Sequence, residues 1–143
     1  MDVKSVAVVT GASQGIGKAT ALRLARDFAA VLLVARDKEN LETAAKEVRS
    51  AGAETEILAA DLREPQAAET VVKTALDRFG RIDALLNIAG AVPQIDLFEM
   101  TDAQWDDGAA LKLPWCAAVD DAGVGCVEKD ERIGRVHVRK RGV

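Results

Sequence analysis

The chain contains a glycine-rich turn, Thr10–Gly17, between an apolar segment and a helical pattern. The apolar run Val6–Val9 predicts a buried strand, and the residues that follow it read Thr-Gly-Ala-Ser-Gln-Gly-Ile-Gly. Gly11 and Gly15 let the backbone turn sharply and approach a ligand closely, where a Cβ would clash. Gly17 lets the new helix pack tightly on its strand. The free N–H groups and the positive end of the helix dipole then face an anion, so the turn predicts a dinucleotide phosphate site.

Strand and helix patterns alternate along most of the chain. The predicted strands are Val3–Thr10, Val31–Ala35, Glu56–Ala60 and Ala84–Ala89, and the predicted helices are Gly15–Phe28, Lys38–Ala51, Pro65–Phe79 and Asp102 to about Leu113, with Thr101 as the N-cap of the last. Such alternation implies an α/β fold with a doubly wound parallel sheet and right-handed crossovers. We therefore expect a Rossmann-type fold, truncated after about four strands.

Length, net charge and cysteine content argue against several classes of function. The chain has 143 residues, enough for one domain with a core, and a net charge of −4, which gives no general attraction to nucleic acid or anionic membranes. The apolar runs are too short to span a bilayer, and the first residues lack a cleavable signal pattern. Cys116, Cys126 and His137 do not form a convincing metal set, so we expect no metal and a cytoplasmic location.

Three landmarks follow one another on the expected elements. They are Thr10–Gly17 after the first strand, Asp61-Leu62 after the third, and Asn87-Ile-Ala-Gly90 after the fourth. In this order they resemble the short-chain dehydrogenases/reductases, oxidoreductases that move a hydride between NAD(P) and a carbinol or carbonyl. The resemblance covers residues 4 to about 113, which we interpret as the dinucleotide-binding half of that fold (1–113).

The resemblance also implies roles for individual residues. The turn would cradle the pyrophosphate, Asp61 and Leu62 would border the adenine ring, and Asn87, Ala89 and Gly90 would line the cofactor, with Asn87 also bracing the sheet centre. Ile88 departs from the family, which most often has a second asparagine there. The candidate cofactor-binding residues are Thr10, Gly11, Ser13, Gln14, Gly15, Ile16, Gly17, Arg36, Asp61, Leu62, Asn87, Ala89 and Gly90. For Asp61 and Asn87 the alternative is a plain hydrogen-bonding role at a strand end.

Arg36 indicates which dinucleotide the site prefers. Dinucleotide folds that use NAD place an acid at the end of the second strand, where it binds the ribose 2′-OH. Here Ala35 and Arg36 occupy that region, and a guanidinium suits a 2′-phosphate. Asp37 lies beyond the strand end. We therefore predict NADP rather than NAD; the alternative is that Arg36 is a solvated surface charge.

The catalytic half of the family pattern is missing from this chain. The resemblance implies acid–base chemistry by a Tyr-x-x-x-Lys pair, whose tyrosine exchanges a proton with the substrate oxygen. This chain contains no tyrosine. The asparagine that many members carry in the helix after the fourth strand falls, by spacing from Trp105, at Lys112, where a lysine could hold a water or a carbonyl instead. We expect the chain as it stands to be inactive.

The regular pattern ends near Leu113, and residues 114–143 read as an irregular tail. From Pro114 onwards, a neighbouring reading frame combines the last two bases of each codon with the first base of the next. One permitted back-translation in this frame contains GSVVFMSG. This segment resembles the family's fifth strand with its serine. Trp115 before Cys116 forces a glycine in that frame, whereas many other positions are free. We therefore expect a frameshift product; the alternative is a natural, divergent tail.

Three functions remain open at this point. The first is an oxidoreductase by descent that is inactive in this chain. The second is a non-catalytic nucleotide-binding module, because the switch point between strands one and four is present. The third is a structural fragment that self-associates through the apolar edge strand Ala84–Leu86. The basic run Arg139–Arg141 lacks stacking aromatic residues, so no nucleic-acid role is expected.

Overall fold

Four strands and four helices form the part of the chain that was predicted to be regular, and two short strands follow. The computed structural model describes residues 5–90, 98–110, 127–130 and 135–138. The elements are β1 (Val6–Thr10), α1 (Gly15–Leu24), β2 (Ala30–Ala35), α2 (Lys38–Ser50), β3 (Glu54–Ala59), α3 (Ala67–Phe79), β4 (Ala84–Leu86), α4 (Asp102–Ala110), β5 (Val127–Asp130) and β6 (Arg135–Val138).

Strands β1 to β4 form one parallel sheet in the order β3-β2-β1-β4. Residues of α1 and α2 pack with Val9 and Leu33 in one core cluster, whereas residues of α3 pack with Val8 and Leu32 in another. Helices therefore cover both faces of the sheet, which explains why β1 and β2 are continuous apolar runs rather than alternating ones. The predicted doubly wound, Rossmann-type α/β fold is confirmed.

The helix ends follow local capping chemistry. Asp37 caps α2, because its Oδ1 accepts a hydrogen bond of 3.0 Å from the backbone N–H of Asn40. Gly80 ends α3 in the left-handed conformation at φ 78°. The predicted N-cap Thr101 is also confirmed: its Oγ1 accepts from the Gln104 N–H at 3.3 Å, and the Gln104 Oε1 accepts from the Thr101 N–H at 3.0 Å.

Helix α3 begins at Ala67 instead of Pro65 and α2 ends one residue early, but α1 and β4 fall further short of their predicted C-terminal ends. Helix α1 ends at Leu24 instead of Phe28, and the Phe28 N–H still donates to the Leu24 carbonyl at 2.8 Å in the turn that follows. Strand β4 ends at Leu86 instead of Ala89, because the N–H groups of Ile88 and Ala89 donate to a side chain of β1 rather than to a strand.

The two edges of the sheet differ in chemistry. On the β3 edge, Arg78 of α3 bridges Glu54 at 2.8 Å and Glu56 at 3.2 Å, so charged groups protect that strand from pairing with another chain. Strand β4 is the other edge and consists of Ala84, Leu85 and Leu86. Within the described ranges no strand hydrogen-bonds to its free side.

The segment after residue 113 contains regular structure. Strands β5 and β6 pair antiparallel, with Val127 opposite Val138 and Asp130 opposite Arg135. The sequence predicted an irregular tail; in these eight residues the backbone groups of two strands satisfy one another in an antiparallel ladder, and the irregularity of the remaining tail stays a prediction. Strand β5 lies beside β4 and pairs only with β6.

Candidate functional site

A cleft of about 800 Å³ opens at the carboxyl ends of the parallel strands. It lies where the chain leaves β1, β2, β3 and β4, which is the usual ligand position in an open α/β sheet. Its walls consist of Gly11, Ser13, Gln14, Gly15, Ile16, Gly17, Ala35, Arg36, Asp37, Asn40, Ala60, Asp61, Leu62, Arg63, Ile88, Ala89 and Gly90. The cleft thus brings together eleven of the thirteen residues that the sequence predicted for it, all except Thr10 and Asn87.

The glycine turn forms a cradle that side chains would fill. Gly11 has φ +68°, and a Cβ there would lie 2.9 Å from the Cα of Ala89 across the cleft. A Cβ at Gly17 would lie 2.0 Å from the Gly11 carbonyl oxygen, so only glycine allows α1 to start this close to the turn. Gly15 has φ +56° with no atom within 4 Å of its Cβ position, which leaves open space on the ligand side.

The N-terminus of α1 is left open toward this cradle. The Gln14 side chain makes no capping hydrogen bond, and the first turn of α1 carries no acidic residue. The first N–H groups of a helix need acceptors, and the dipole places positive charge there. Turn and helix together fit a phosphate group, so the residues present suit the pyrophosphate of a dinucleotide.

Thr10 supports the cleft from below instead of lining it. Its side chain is fully buried, and its Oγ1 donates to the Leu86 carbonyl at 3.3 Å. The same oxygen accepts from the N–H groups of Ile88 at 3.0 Å and Ala89 at 3.1 Å. Its hydroxyl holds the segment after β4 against the end of β1, and a direct role of Thr10 in cofactor binding stays a prediction.

Asn87 also lies outside the cleft walls. Its Oδ1 is buried and has no hydrogen-bond partner among the described residues. A buried amide oxygen without a donor is costly, so this group calls for a donor that the described residues do not supply. The neighbouring Ile88, Ala89 and Gly90 lie in the cleft wall, and the expectation that Asn87 lines the cofactor and braces the sheet stays a prediction.

Arg36 is an exposed cation in the wall at the end of β2. Among the described residues it has no ion-pair partner. The adjacent Asp37 does not pair with it, because both carboxylate oxygens of Asp37 accept hydrogen bonds from Asn40, from the backbone N–H at 3.0 Å and from the side-chain Nδ2 at 2.8 Å. Arg36 is thus available to an anion in the cleft.

Asp61 and Arg63 form an ion pair in the wall after β3. The Arg63 Nε donates to the Asp61 Oδ1 at 3.1 Å and its Nη2 donates to Oδ2 at 2.8 Å, and the Arg63 backbone N–H also donates to Oδ1 at 3.1 Å. The hydrogen bonds from the Arg63 side chain and backbone lower the pKa of Asp61 to about 2. Asp61 therefore stays ionised, while Leu62 between them is buried, 5% exposed, in the core under α3.

Sequence reasoning missed six residues of the wall, namely Ala35, Asp37, Asn40, Ala60, Arg63 and Ile88. Five of them, all except Asn40, directly flank a predicted residue, so widening each landmark by one position would have found them. Asn40 had a second signal: an Asp three residues before an Asn at a helix start is a capping pattern, and it places Asn40 over the end of β2. Arg63 gave no signal of its own beyond its position two residues after Asp61.

Some predictions concern residues that the structure does not describe. Lys112, at the position of the family's helix asparagine, lies outside the described residues, as do Cys116 and Cys126. Among the residues described, no group of acidic, histidine or cysteine side chains could hold a metal ion. No helix within these same ranges has the length and apolar character needed to cross a membrane.

Comparison with known proteins decides the family. A family model described as short chain dehydrogenase matches residues 5–113. The chain belongs to the short-chain dehydrogenase family. This short-chain dehydrogenase is 42% identical over 139 residues to the short-chain reductase protein NovJ of Streptomyces niveus, covering 97% of this chain and 49% of that protein. The match with NovJ thus extends beyond residue 113.

Solved structures show the same partial coverage. A metagenomic short-chain oxidoreductase in complex with NADP is 37% identical with a TM-score of 0.71, over 84% of this chain and 58% of that chain. A carveol dehydrogenase from Mycobacterium avium in complex with NAD shares the fold at 23% identity, with a TM-score of 0.71 over 83% of this chain and 48% of that one. The chain spans about half the length of the relatives that it matches.

Proposed function

We propose that this chain is the cofactor-binding half of an NADP(H)-dependent oxidoreductase that acts on a carbonyl or alcohol. When bound, the nicotinamide dinucleotide supplies or accepts the hydride. The glycine turn and the α1 N-terminus hold the pyrophosphate, Asp61 and Leu62 border the adenine ring, and Ala89 and Gly90 lie along the opposite wall. The proposal rests on family membership together with a cleft whose shape only glycines at positions 11 and 17 allow.

The charges at the end of β2 support NADP(H) over NAD(H). A 2′-hydroxyl needs an acceptor there, whereas a 2′-phosphate needs a cation. Both carboxylates of this wall are engaged, Asp37 by Asn40 and Asp61 by Arg63, and Arg36 is the cation in the described wall that no carboxylate neutralises. This unpaired guanidinium is the single observation on which the cofactor preference depends.

The binding half does not contain the proton donor of the reaction. Hydride transfer to a carbonyl needs a proton at the oxygen, which the family's tyrosine supplies, and this chain has no tyrosine. We therefore propose that the isolated chain binds NADP(H) without turnover. Steady NADPH oxidation by the pure chain with a panel of carbonyl compounds would refute this part of the proposal.

The cofactor preference is tested by titrating the chain with NADPH and NADH, following reduced-nicotinamide fluorescence. Hydrogen bonds to charged groups contribute about 1.5–3 kcal/mol, so Arg36→Ala should weaken NADPH binding by about 10–100-fold and change NADH binding little. Arg26→Ala is the matched control, because Arg26 is exposed but lies outside the cleft. Equal affinities of the wild-type chain for NADPH and NADH would overturn the preference.

The edges of the sheet favour a second candidate function, a fragment that self-associates. Strand β3 is protected by the ion pairs of Arg78, whereas the outer side of β4 makes no strand hydrogen bond within the described ranges, although β5 lies beside it. Apolar unpaired edges pair with other chains. Size-exclusion chromatography should show dimers or larger species that increase with concentration, and a sharp monomer peak at high concentration would contradict this candidate.

A further inference from the structure

Arg63 contributes to the cleft in a way that none of the motifs indicated. It lines the wall opposite the glycine turn, and three of its donors hold the Asp61 carboxylate. Two of these donors, the backbone N–H and Nε, both reach Oδ1, whereas only Nη2 reaches Oδ2. One residue thus fixes both the position and the rotation of the carboxylate.

The pairing leaves one acceptor position for a ligand. A carboxylate oxygen accepts about two hydrogen bonds, so Oδ1 is saturated and Oδ2 keeps one site. Asp61 lines the cleft and 31% of its side chain is accessible, so a ligand in the cleft can reach this carboxylate. It suits a single N–H donor such as the exocyclic amino group of adenine.

The pairing also changes the charge of the wall. An unpaired Asp61 carboxylate would repel a dinucleotide, which carries a pyrophosphate and, in NADP(H), a 2′-phosphate. The Arg63 guanidinium neutralises most of this charge, so Asp61, which also interacts electrostatically with Arg36, offsets less of the positive field of Arg36 than an unpaired carboxylate would. Arg63 thereby separates two properties of Asp61, its ability to accept a hydrogen bond and its negative charge.

We propose that Arg63 is a positioning residue for the adenosine end of the dinucleotide, which orients Asp61 as a single acceptor and neutralises it toward the phosphates. This inference rests on the proposed dinucleotide function. A merely structural ion pair predicts something different: at this exposure, 40% for the Arg63 side chain, such pairs contribute little to stability. Loss of Arg63 should therefore change affinity far more than melting temperature.

The chain offers a matched control for this test. The third guanidinium nitrogen of Arg63, Nη1, lies 4.0 Å from the Asp107 Oδ2 of α4. Asp107→Asn removes that contact and leaves the Asp61 pair and the cleft walls untouched. Any effect that Arg63 has through α4 will appear in this variant as well, whereas an effect through Asp61 will not.

The experiment compares the wild-type chain, Arg63→Ala, Arg63→Lys and Asp107→Asn by NADPH and NADH titration, melting temperature and carboxyl NMR. We expect Arg63→Ala to weaken NADPH binding about tenfold or more, with a smaller loss for NADH, which has no 2′-phosphate. Arg63→Lys keeps the charge but not the fork and should recover part of the loss, and Asp107→Asn should match the wild type. The NMR titration should give a pKa of about 2 for Asp61 in the wild type and a higher pKa in Arg63→Ala.

Different failures identify different errors. A wild-type chain that does not bind NADPH overturns the proposed function and this inference with it. A wild-type chain that binds while Arg63→Ala binds equally well overturns this inference alone. Equal losses in Arg63→Ala and Asp107→Asn, or a fall in affinity that follows a fall in melting temperature, would assign Arg63 a structural role and also overturn it.

Discussion

Replacing Thr10 with valine tests whether its hydroxyl holds the cleft together. Valine has nearly the same shape, so Thr10→Val removes the hydroxyl without opening a large cavity. The variant leaves the Ala89 N–H without its partner, whereas the Ile88 N–H and the Leu86 carbonyl keep only the hydrogen bond of 3.1 Å between them. All three contacts are partly buried, so water replaces the lost hydrogen bonds only in part.

The magnitude follows from these three contacts. A lost hydrogen bond costs about 0.5–1.5 kcal/mol, which applies to Ile88 and Leu86, and the Ala89 N–H that is left unsatisfied costs about 1 kcal/mol more at this partial exposure. We therefore expect Thr10→Val to lower the free energy of unfolding by about 2–3 kcal/mol, which corresponds to a fall in melting temperature of about 6–9 °C for a domain of this size. Thr10→Ser keeps the hydroxyl and loses one methyl group, which costs about 1 kcal/mol.

The assay is urea denaturation followed by circular dichroism, combined with NADPH titration of each folded variant. Because Ile88 and Ala89 lie in the cleft wall, Thr10→Val should also weaken NADPH binding at temperatures where the variant is fully folded. The reasoning is refuted if Thr10→Val is as stable as the wild type, or if Thr10→Ser is the more destabilised of the two.

Three other predictions concern the turn, the acid pH range and the tail. Gly17→Ala places a Cβ 2.0 Å from a backbone oxygen and should abolish NADPH binding and lower the melting temperature strongly, whereas Gly15→Ala meets no atom within 4 Å and should cost only the strain of its φ of +56°, about 1–3 kcal/mol; similar losses in both variants would contradict the clash argument. Burial raises the pKa of Asp83, but hydrogen bonds from the Arg81 side chain and the Val6 N–H outweigh it, so the pKa of Asp83, like that of Asp61, lies below the ordinary 3.8. Because both pKa values are lowered on folding, their stabilisation is complete above about pH 5 and is lost as the pH falls below the unfolded value, which urea denaturation between pH 2 and 7 should show; stability that rises on acidification would exclude this. The coding DNA around the Pro114 codon tests the frameshift: the neighbouring frame should encode a dehydrogenase continuation, and a frame that contains stop codons would establish a natural tail, in agreement with a NovJ match that extends past residue 113.

The sequence predicted the sheet and most of the cleft because these depend on local patterns. Continuous apolar runs identify strands that are covered on both faces, and the glycines of the turn satisfy constraints that come from their own neighbours in the chain. Asp37 shows how far such reasoning extends: its position beyond β2 and before a helix predicted that it is not the acid of an NAD site, and the structure shows it capping α2.

What the sequence could not predict depends on long-range contacts. Thr10 belongs to the motif but turns its hydroxyl toward residues more than seventy positions away, which no local pattern records. The early end of β4 has the same cause. The hydrogen bonds that Arg63 and Asn40 donate could not be predicted from the sequence, because they depend on the side-chain rotamers of Asp61 and Asp37. The pairing of β5 with β6 had only a brief alternation at residues 133–138 as its signal.

The hydrogen bonds of Thr10 also have a consequence for how the chain folds. They join residues 76, 78 and 79 positions apart, whereas each step from β1 through α1, β2, α2 and β3 connects near neighbours. Contacts with large sequence separation form late, because the entropy of closing a long loop is lost before the contact contributes any favourable free energy. A refolding chain should therefore build β1 to β3 first and acquire its second cleft wall only when β4 reaches β1. The ability to bind a ligand would then be the last property to appear during refolding. The rate at which it returns would measure the rate at which β4 pairs with β1.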